Sequence, residues 1–100
     1  MILYNVTISI DKQVESEWLR WMKTVHIPDV MATGCFESHR MLRIMFEENQ
    51  DSSSYAIQYV AADMQQFQKY QTLFATRLQE EHGNRYKGKY AAFRSLLEEV

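Results

Sequence analysis

Ile2-Leu3-Tyr4-Asn5-Val6-Thr7-Ile8-Ser9-Ile10 alternates with a period of two and is rich in β-branched residues, the pattern of a strand with two unlike faces. Ile2, Tyr4, Val6, Ile8 and Ile10 make one wholly apolar-to-aromatic face. Leu3, Asn5, Thr7 and Ser9 make the other, which is mostly polar. Whichever face meets the next layer of the fold decides what this strand contributes to a core and what it contributes to a site.

The segments that follow change period. Asp11 is placed to cap a helix, with Glu15 and Glu17 early, where the helix dipole favours negative charge. Val14, Trp18, Trp21, Met22 and Val25 then form a single helical stripe. Pro28 disfavours helix at Ile27, so an end or kink is expected near His26. Pro28 itself suits the opening of a short second helical turn through Asp29, Val30 and Met31, stopped by Gly34. A second strand is expected over Cys35 to Phe46, with Phe36, Leu42, Ile44 and Phe46 on one side. The Asn, Asp and Ser cluster of Glu47 to Ser54 marks a loop, and Ser54 to Ala61 a third strand. Asp63, with Gln66 three residues on, begins a helix whose buried stripe is Met64, Phe67, Tyr70, Phe74 and Leu78. That helix is expected to end near His82, with Gly83 as its C-cap. A basic loop over Asn84 to Lys89 leads to a last strand, Tyr90 to Glu98.

The order β-α-β-β-α-β within 100 residues is the ferredoxin-like α+β arrangement: a four-stranded antiparallel sheet with two helices on one face, in a single domain over residues 1–100. Helices on one face leave the other face bare, and the strands carry large apolar residues for both. An exposed face of that kind exceeds the apolar patch a monomer tolerates, so a homodimer joined through the sheet face is expected.

Composition narrows the function classes. A net charge of -2 argues against a dedicated nucleic-acid binder. No apolar run reaches the ~20 residues of a membrane helix and no leader pattern opens the chain, so neither membrane nor secretion is expected. Cys35 is alone, which rules out an internal disulfide or a cysteine metal site and fits a reducing, cytoplasmic setting. No histidine or carboxylate spacing makes a metal site, and three scattered glycines make no phosphate loop. Neither metal nor cofactor is expected.

The candidate site residues are polar groups in unusual places. His26, where a helix should end, is suited to be a general base, although stabilisation of the helix end is its ordinary role. Asn5 interrupts an apolar strand, and Gln58 and Arg94 repeat that pattern on the third and fourth strands. On one face they would make a donor-rich patch for a carbonyl, carboxylate or enolate oxygen; otherwise they form a structural network. His26 lies in the helix layer and meets only the helix-facing side of the sheet. A pocket joining it to Asn5 therefore requires Leu3, Asn5, Thr7 and Ser9 to face the helices, leaving Ile2, Tyr4, Val6 and Ile8 for the dimer. The opposite orientation separates Asn5 from His26. Catalytic roles fall to His26, Asn5 and Arg94, and substrate contacts to Gln58, Tyr59 and Trp21.

Several segments together carry a family likeness: Tyr4-Asn-Val-Thr7, Trp18-Leu-Arg-Trp-Met22, His26-Ile-Pro-Asp-Val-Met-Ala-Thr-Gly-Cys-Phe36, Gln58-Tyr59 and Ala92-Phe-Arg-Ser95. Over essentially the whole chain they resemble the family called domain of unknown function 4286, within the dimeric α+β barrel superfamily. The resemblance implies a ferredoxin-like protomer and a sheet-to-sheet dimer, and no activity. The wider superfamily includes cofactor-independent monooxygenases, which use an Asn with a Trp and an Arg, and haem-degrading enzymes, which use an Asn, a Trp and a His. Here both tryptophans fall at core spacing on the first helix, and His26 is not on the later helix where haem ligation would be expected. No haem is therefore expected.

The expected function is small-molecule binding, with proton transfer or cofactor-independent oxygenation of a small carbonyl or aromatic compound as the chemistry. The alternatives are a non-catalytic sensor or structural dimer module, which predicts a filled core beside His26, and an RNA-binding module using Tyr4, Tyr55 and Tyr59.

Overall fold

The apolar face of the first strand turns inward. β1 (Ile2–Asp11) alternates strictly between buried and half-buried positions, with Ile2, Tyr4, Val6, Ile8 and Ile10 buried. Turning the strand over would expose those five side chains, at about 1.5–3 kcal/mol for each full-sized one, and would press Asn5 under the helices. That difference exceeds any local preference of Asn5, so the inward face is settled by burial. The structure, a computed structural model, describes residues 1–46 and 49–100.

β1 is one of two central strands. The sheet order is β2-β3-β1-β4, every neighbour antiparallel, with β2 at Ser38–Arg43, β3 at Ser52–Ala61 and β4 at Tyr90–Glu98. β1 and β2 therefore run parallel with β3 between them, which is the split βαβ plan. The register sets Tyr4 between Tyr59 and Leu96, Asn5 between Gln58 and Ser95, and Val6 between Ile57 and Arg94. Side chains directly opposite share a face, so Tyr4, Tyr59 and Arg94 point to the helix layer while Asn5, Gln58, Phe93 and Leu97 point away from it.

The helix layer holds α1 (Glu15–Trp21), a π-helical turn (Met22–His26), α2 (Ile27–Ala32), α3 (Met64–Leu73) and α4 (Ala75–Arg85). Trp18, Met22, Ile27, Val30, Phe67, Tyr70 and Leu78 pack onto the inward sheet face and complete the core. Pro28 does not end the first helix. Instead the winding loosens: the Ile27 N–H bonds to the Met22 carbonyl five residues back, and the Thr24 hydroxyl donates to the Arg20 carbonyl at 2.7 Å. The wider turn also moves the stripe. Val25, expected inside on an α-helical period, is exposed, whereas Ile27 and Val30 are buried.

Other expectations shift for equally local reasons. Asp11 closes a turn onto the Gln13 N–H at 2.8 Å, and Val14 occupies the N-cap of α1 without a side-chain bond. Asp63 does cap α3, accepting from the Gln66 N–H at 2.9 Å, but Met64 is exposed. The second helix is broken at Phe74, whose φ of -128° departs from helical values. Gly83 lies inside α4 and is not its C-cap. A Cβ there would approach the Tyr90 hydroxyl to 3.0 Å, so glycine admits the tyrosine. β2 is shorter than Cys35 to Phe46, with Cys35 and Phe36 buried ahead of it and Met45 and Phe46 exposed beyond it. β3 begins at Ser52 inside the expected loop, of which Glu47 and Glu48 lie outside the described residues.

Gly34 ends α2 as expected, at φ 76°, and a Cβ at this position would have open space for 4 Å around it. Only backbone conformation is at stake there, so Gly34→Ala is expected to cost roughly 1–2 kcal/mol. A urea midpoint unchanged from the parent would contradict it.

Candidate functional site

A small cavity of about 30 Å³ lies between the helix layer and the sheet. That is room for a few water-sized atoms. Its polar lining comes from every layer: Tyr4 on β1, Tyr59 on β3, Arg94 on β4, His26 at the end of the π turn, Tyr70 on α3 and His82 on α4.

His82 is the most constrained of these. Its Nε2 accepts a hydrogen bond from the Trp18 indole N–H at 2.9 Å, with both residues buried. An indole N–H only donates, so this nitrogen is bare and a neutral ring carries its proton on Nδ1. Tyr90 meets the imidazole edge-on at 4.6 Å between centroids. Burial, reinforced by His26 and Arg94 nearby, lowers the His82 pKa to about 4.

His26 stacks on Trp21 at 5.2 Å and meets His82 at 5.8 Å between ring centroids. Trp21 carries the Arg85 guanidinium 5.3 Å from its ring centroid. The His26 Nδ1 is buried and has no hydrogen-bond partner among the described residues. Burial again lowers its pKa from the usual value; Glu81 and Asp29 oppose the shift and Arg94 adds to it. The site thus presents two imidazoles held toward the neutral form, one with its Nε2 occupied by Trp18 and one with an unpartnered Nδ1.

Arg94 reaches the cavity from an exposed position on an edge strand. Among the described residues the ion pairs are Arg77–Glu81 at 3.1 Å and Arg85–Glu17 at 2.6 Å, so Arg94 has no carboxylate partner there. Burial raises the Tyr4 pKa, and this is partly offset by the charge of Arg94 and by hydrogen bonding from Arg94 and Gln79. Burial also pushes the Tyr59 and Tyr70 phenols well above their ordinary values, so both remain protonated donors.

The structure brings His26, Arg94 and Tyr59 to one cavity and sets Trp21 against His26. It does not bring Asn5 or Gln58 there. Both sit on the opposite face of the sheet, because the pleat that buries Tyr4 turns Asn5 outward. The expected pocket joining Asn5 to His26 is therefore not formed, and the apolar face of Ile2, Tyr4, Val6 and Ile8 serves the protomer core rather than a dimer. On the outer face a directed chain runs across three strands: Arg40 Nε donates to Gln58 Oε1 at 2.8 Å, Gln58 Nε2 to Asn5 Oδ1 at 3.2 Å, and Asn5 Nδ2 to Thr7 Oγ1 at 3.0 Å. Tyr4, Tyr55 and Tyr59 are buried beneath the helices, so none is presented for base stacking.

Sequence reasoning misses His82 and Tyr4. His82 follows Leu78 by four residues and Phe74 by eight, so the helical stripe already carries it inward. Tyr4 belongs to the apolar face, where only its hydroxyl distinguishes it. Among the described residues no three His, Cys, Asp or Glu converge as a metal site, and no helix is long and apolar enough to cross a membrane.

Comparison with known structures agrees with the fold. A dimeric ferredoxin-like protein from an uncultured marine organism superposes with a TM-score of 0.73 at 11% identity, covering 100% of this chain and 95% of that one. An ethyl tert-butyl ether (EthD) family protein from Bacillus halodurans gives 0.68 at 13% identity, covering 100% of each chain. SnoaB, a cofactor-independent oxygenase from Streptomyces nogalater, gives 0.60 at 14% identity, covering 99% of this chain and 93% of that one. No curated protein matches in sequence. At these identities the likeness shows a ferredoxin-like α+β fold and nothing about chemistry. The family model described as Domain of unknown function (DUF4286) matches residues 1–100, and the chain belongs to that family.

Proposed function

We propose that this chain is a homodimeric, small-molecule-binding α+β barrel protein of a reducing, cytoplasmic compartment. Its cavity carries cofactor-independent proton-transfer chemistry on a small carbonyl or aromatic compound. One observation carries the reading: His26, whose buried Nδ1 has no hydrogen-bond partner among the described residues, lines the same cavity as Arg94, a cation with no carboxylate partner among them. A buried nitrogen left unmet, as at His26, is rare in a core that serves stability alone.

The chemistry follows from the groups present. Neutral His26 accepts a proton from a substrate C–H or O–H, and the electron pair left behind moves onto the adjacent oxygen. Arg94 and the Tyr4 hydroxyl stabilise the charge that develops there. His82, its Nε2 occupied by Trp18, holds the aromatic wall and keeps a second positive charge away from His26. Returning the proton to another atom completes an isomerisation; with dioxygen as co-substrate and oxidant, the carbanion's electrons instead go into a new C–O bond, and the proton on His26 is returned to the peroxide oxygen to leave a hydroperoxide.

The dimer reading rests on the outer sheet face. Leu42, Phe93 and Leu97 are exposed there beside half-buried Leu3, Ala56 and Val60. The total exposed surface of 6469 Å² exceeds the roughly 5,900 Å² expected for a monomer of this mass. The marine neighbour is described as dimeric. A filled, non-catalytic module is favoured by one fact only, the small volume of the cavity.

Screening small carbonyl and aromatic compounds by histidine ring NMR separates the two readings. Saturable shifts at His26 support the ligand site, and their absence across the screen supports the filled module. Once turnover is found, His26→Ala is expected to lower it by about 10²–10⁴-fold. Unchanged turnover removes His26 as the base.

A further inference from the structure

The cavity is chemically one-sided. Among the described residues its one formal charge is the Arg94 guanidinium, its other polar groups are neutral phenols, imidazoles and an amide, and no Asp or Glu lines it. We propose that it takes the carboxylate, or an equally small monoanionic oxygen group, of a small organic acid, with Arg94 as the counter-charge. This deepens the ligand-site reading above and rests on it.

Size supports a head-group mode. A cavity of about 30 Å³ suits a small polar head group. Arg94 is exposed, so the remainder of the molecule lies outward, past the guanidinium. A carboxylate can accept from Arg94 in a paired geometry while the Tyr4 hydroxyl donates from within. His26 lines the same cavity, and once protonated it donates to the bound anion. A cationic ligand would meet Arg94 with no acid to balance it. A neutral amide would leave the guanidinium charge uncompensated.

Charge linkage gives a second readout. The groups acting on His26 are Glu81 from α4, Asp29 from α2, Arg94 from β4 and His82, together with burial. An anion beside the ring opposes the burial effect, so ligand binding should raise the His26 pKa and tighten as pH falls.

The test uses benzoate and its neutral isostere benzamide, titrated into the intact protein and followed by histidine ring NMR. Benzoate is expected to shift the His26 and His82 signals saturably and to raise the His26 pKa, with benzamide at least about tenfold weaker. Arg94→Gln is expected to weaken benzoate by about tenfold or more, and Arg94→Lys by less. Equal binding of benzamide and benzoate overturns the anion class and leaves the ligand site standing. Benzoate shifts that survive Arg94→Gln unchanged also overturn it. If neither compound produces a saturable shift, this inference and the ligand-site reading fall together.

Discussion

Trp18→Ala is expected to destabilise the fold by roughly 3–5 kcal/mol, the range for deleting a buried aromatic side chain. Trp18 has no exposed surface, packs on Tyr55 at 5.2 Å between ring centroids, and donates its only polar hydrogen to His82. The substitution opens a cavity and also leaves His82 Nε2 buried without a donor. A domain with roughly 5–15 kcal/mol of total stability would then be near its unfolding threshold. Trp18→Phe keeps most of the volume and removes the hydrogen bond, so it should cost about 1–3 kcal/mol. Denaturant midpoints in neutral buffer measure both. A loss below about 1 kcal/mol for the alanine variant would contradict a fully packed Trp18.

The second large effect is a loss of stability in mild acid. The folded state holds His82 at a pKa of about 4, against 6.5 for the unfolded chain. Between those values the unfolded chain binds a proton that the folded chain excludes. Stability therefore falls as pH drops from about 6.5 and levels off below about 4. The full difference corresponds to about 3 kcal/mol. His26, also lowered by burial, acts in the same direction. Because the two imidazoles face one another, a proton on either opposes a proton on its neighbour. His82→Gln keeps an acceptor for the Trp18 N–H and should remove most of the slope. Urea midpoints across this pH window in both proteins provide the comparison. An identical slope in the variant would assign the acid sensitivity elsewhere.

Elements with a long, clean period are legible from residues alone. β1 and β4 fall where the alternation places them, and Asp63, Gly34 and Pro28 act locally as their chemistry requires. Departures arise where a tertiary demand changes a local rule. A helical period assumes about 3.6 residues per turn, and Val25 leaves the buried stripe because the π turn uses more. Gly83 resembles a helix stop in sequence, yet its missing side chain is required by Tyr90, which arrives from another element.

The candidate site divides in the same way. Polarity in unusual places identifies His26 and Arg94, which do share a cavity, and equally identifies Asn5 and Gln58, which do not. Alternation separates a strand into two sets and is silent on which set faces the helices. His82 and Tyr4 are hidden by their own regularity, since each sits where a core residue should.

By itself the sequence determined a single β-α-β-β-α-β chain with two unlike sheet faces, because side-chain period is a property of neighbouring residues. Only the tertiary structure decided which face became core and which polar groups met across it. That choice depends on the summed burial of five strand residues against a helix layer drawn from distant parts of the chain, and no local pattern contains that sum. The same choice made His26, His82, Tyr4 and Arg94 neighbours and left Asn5 outside.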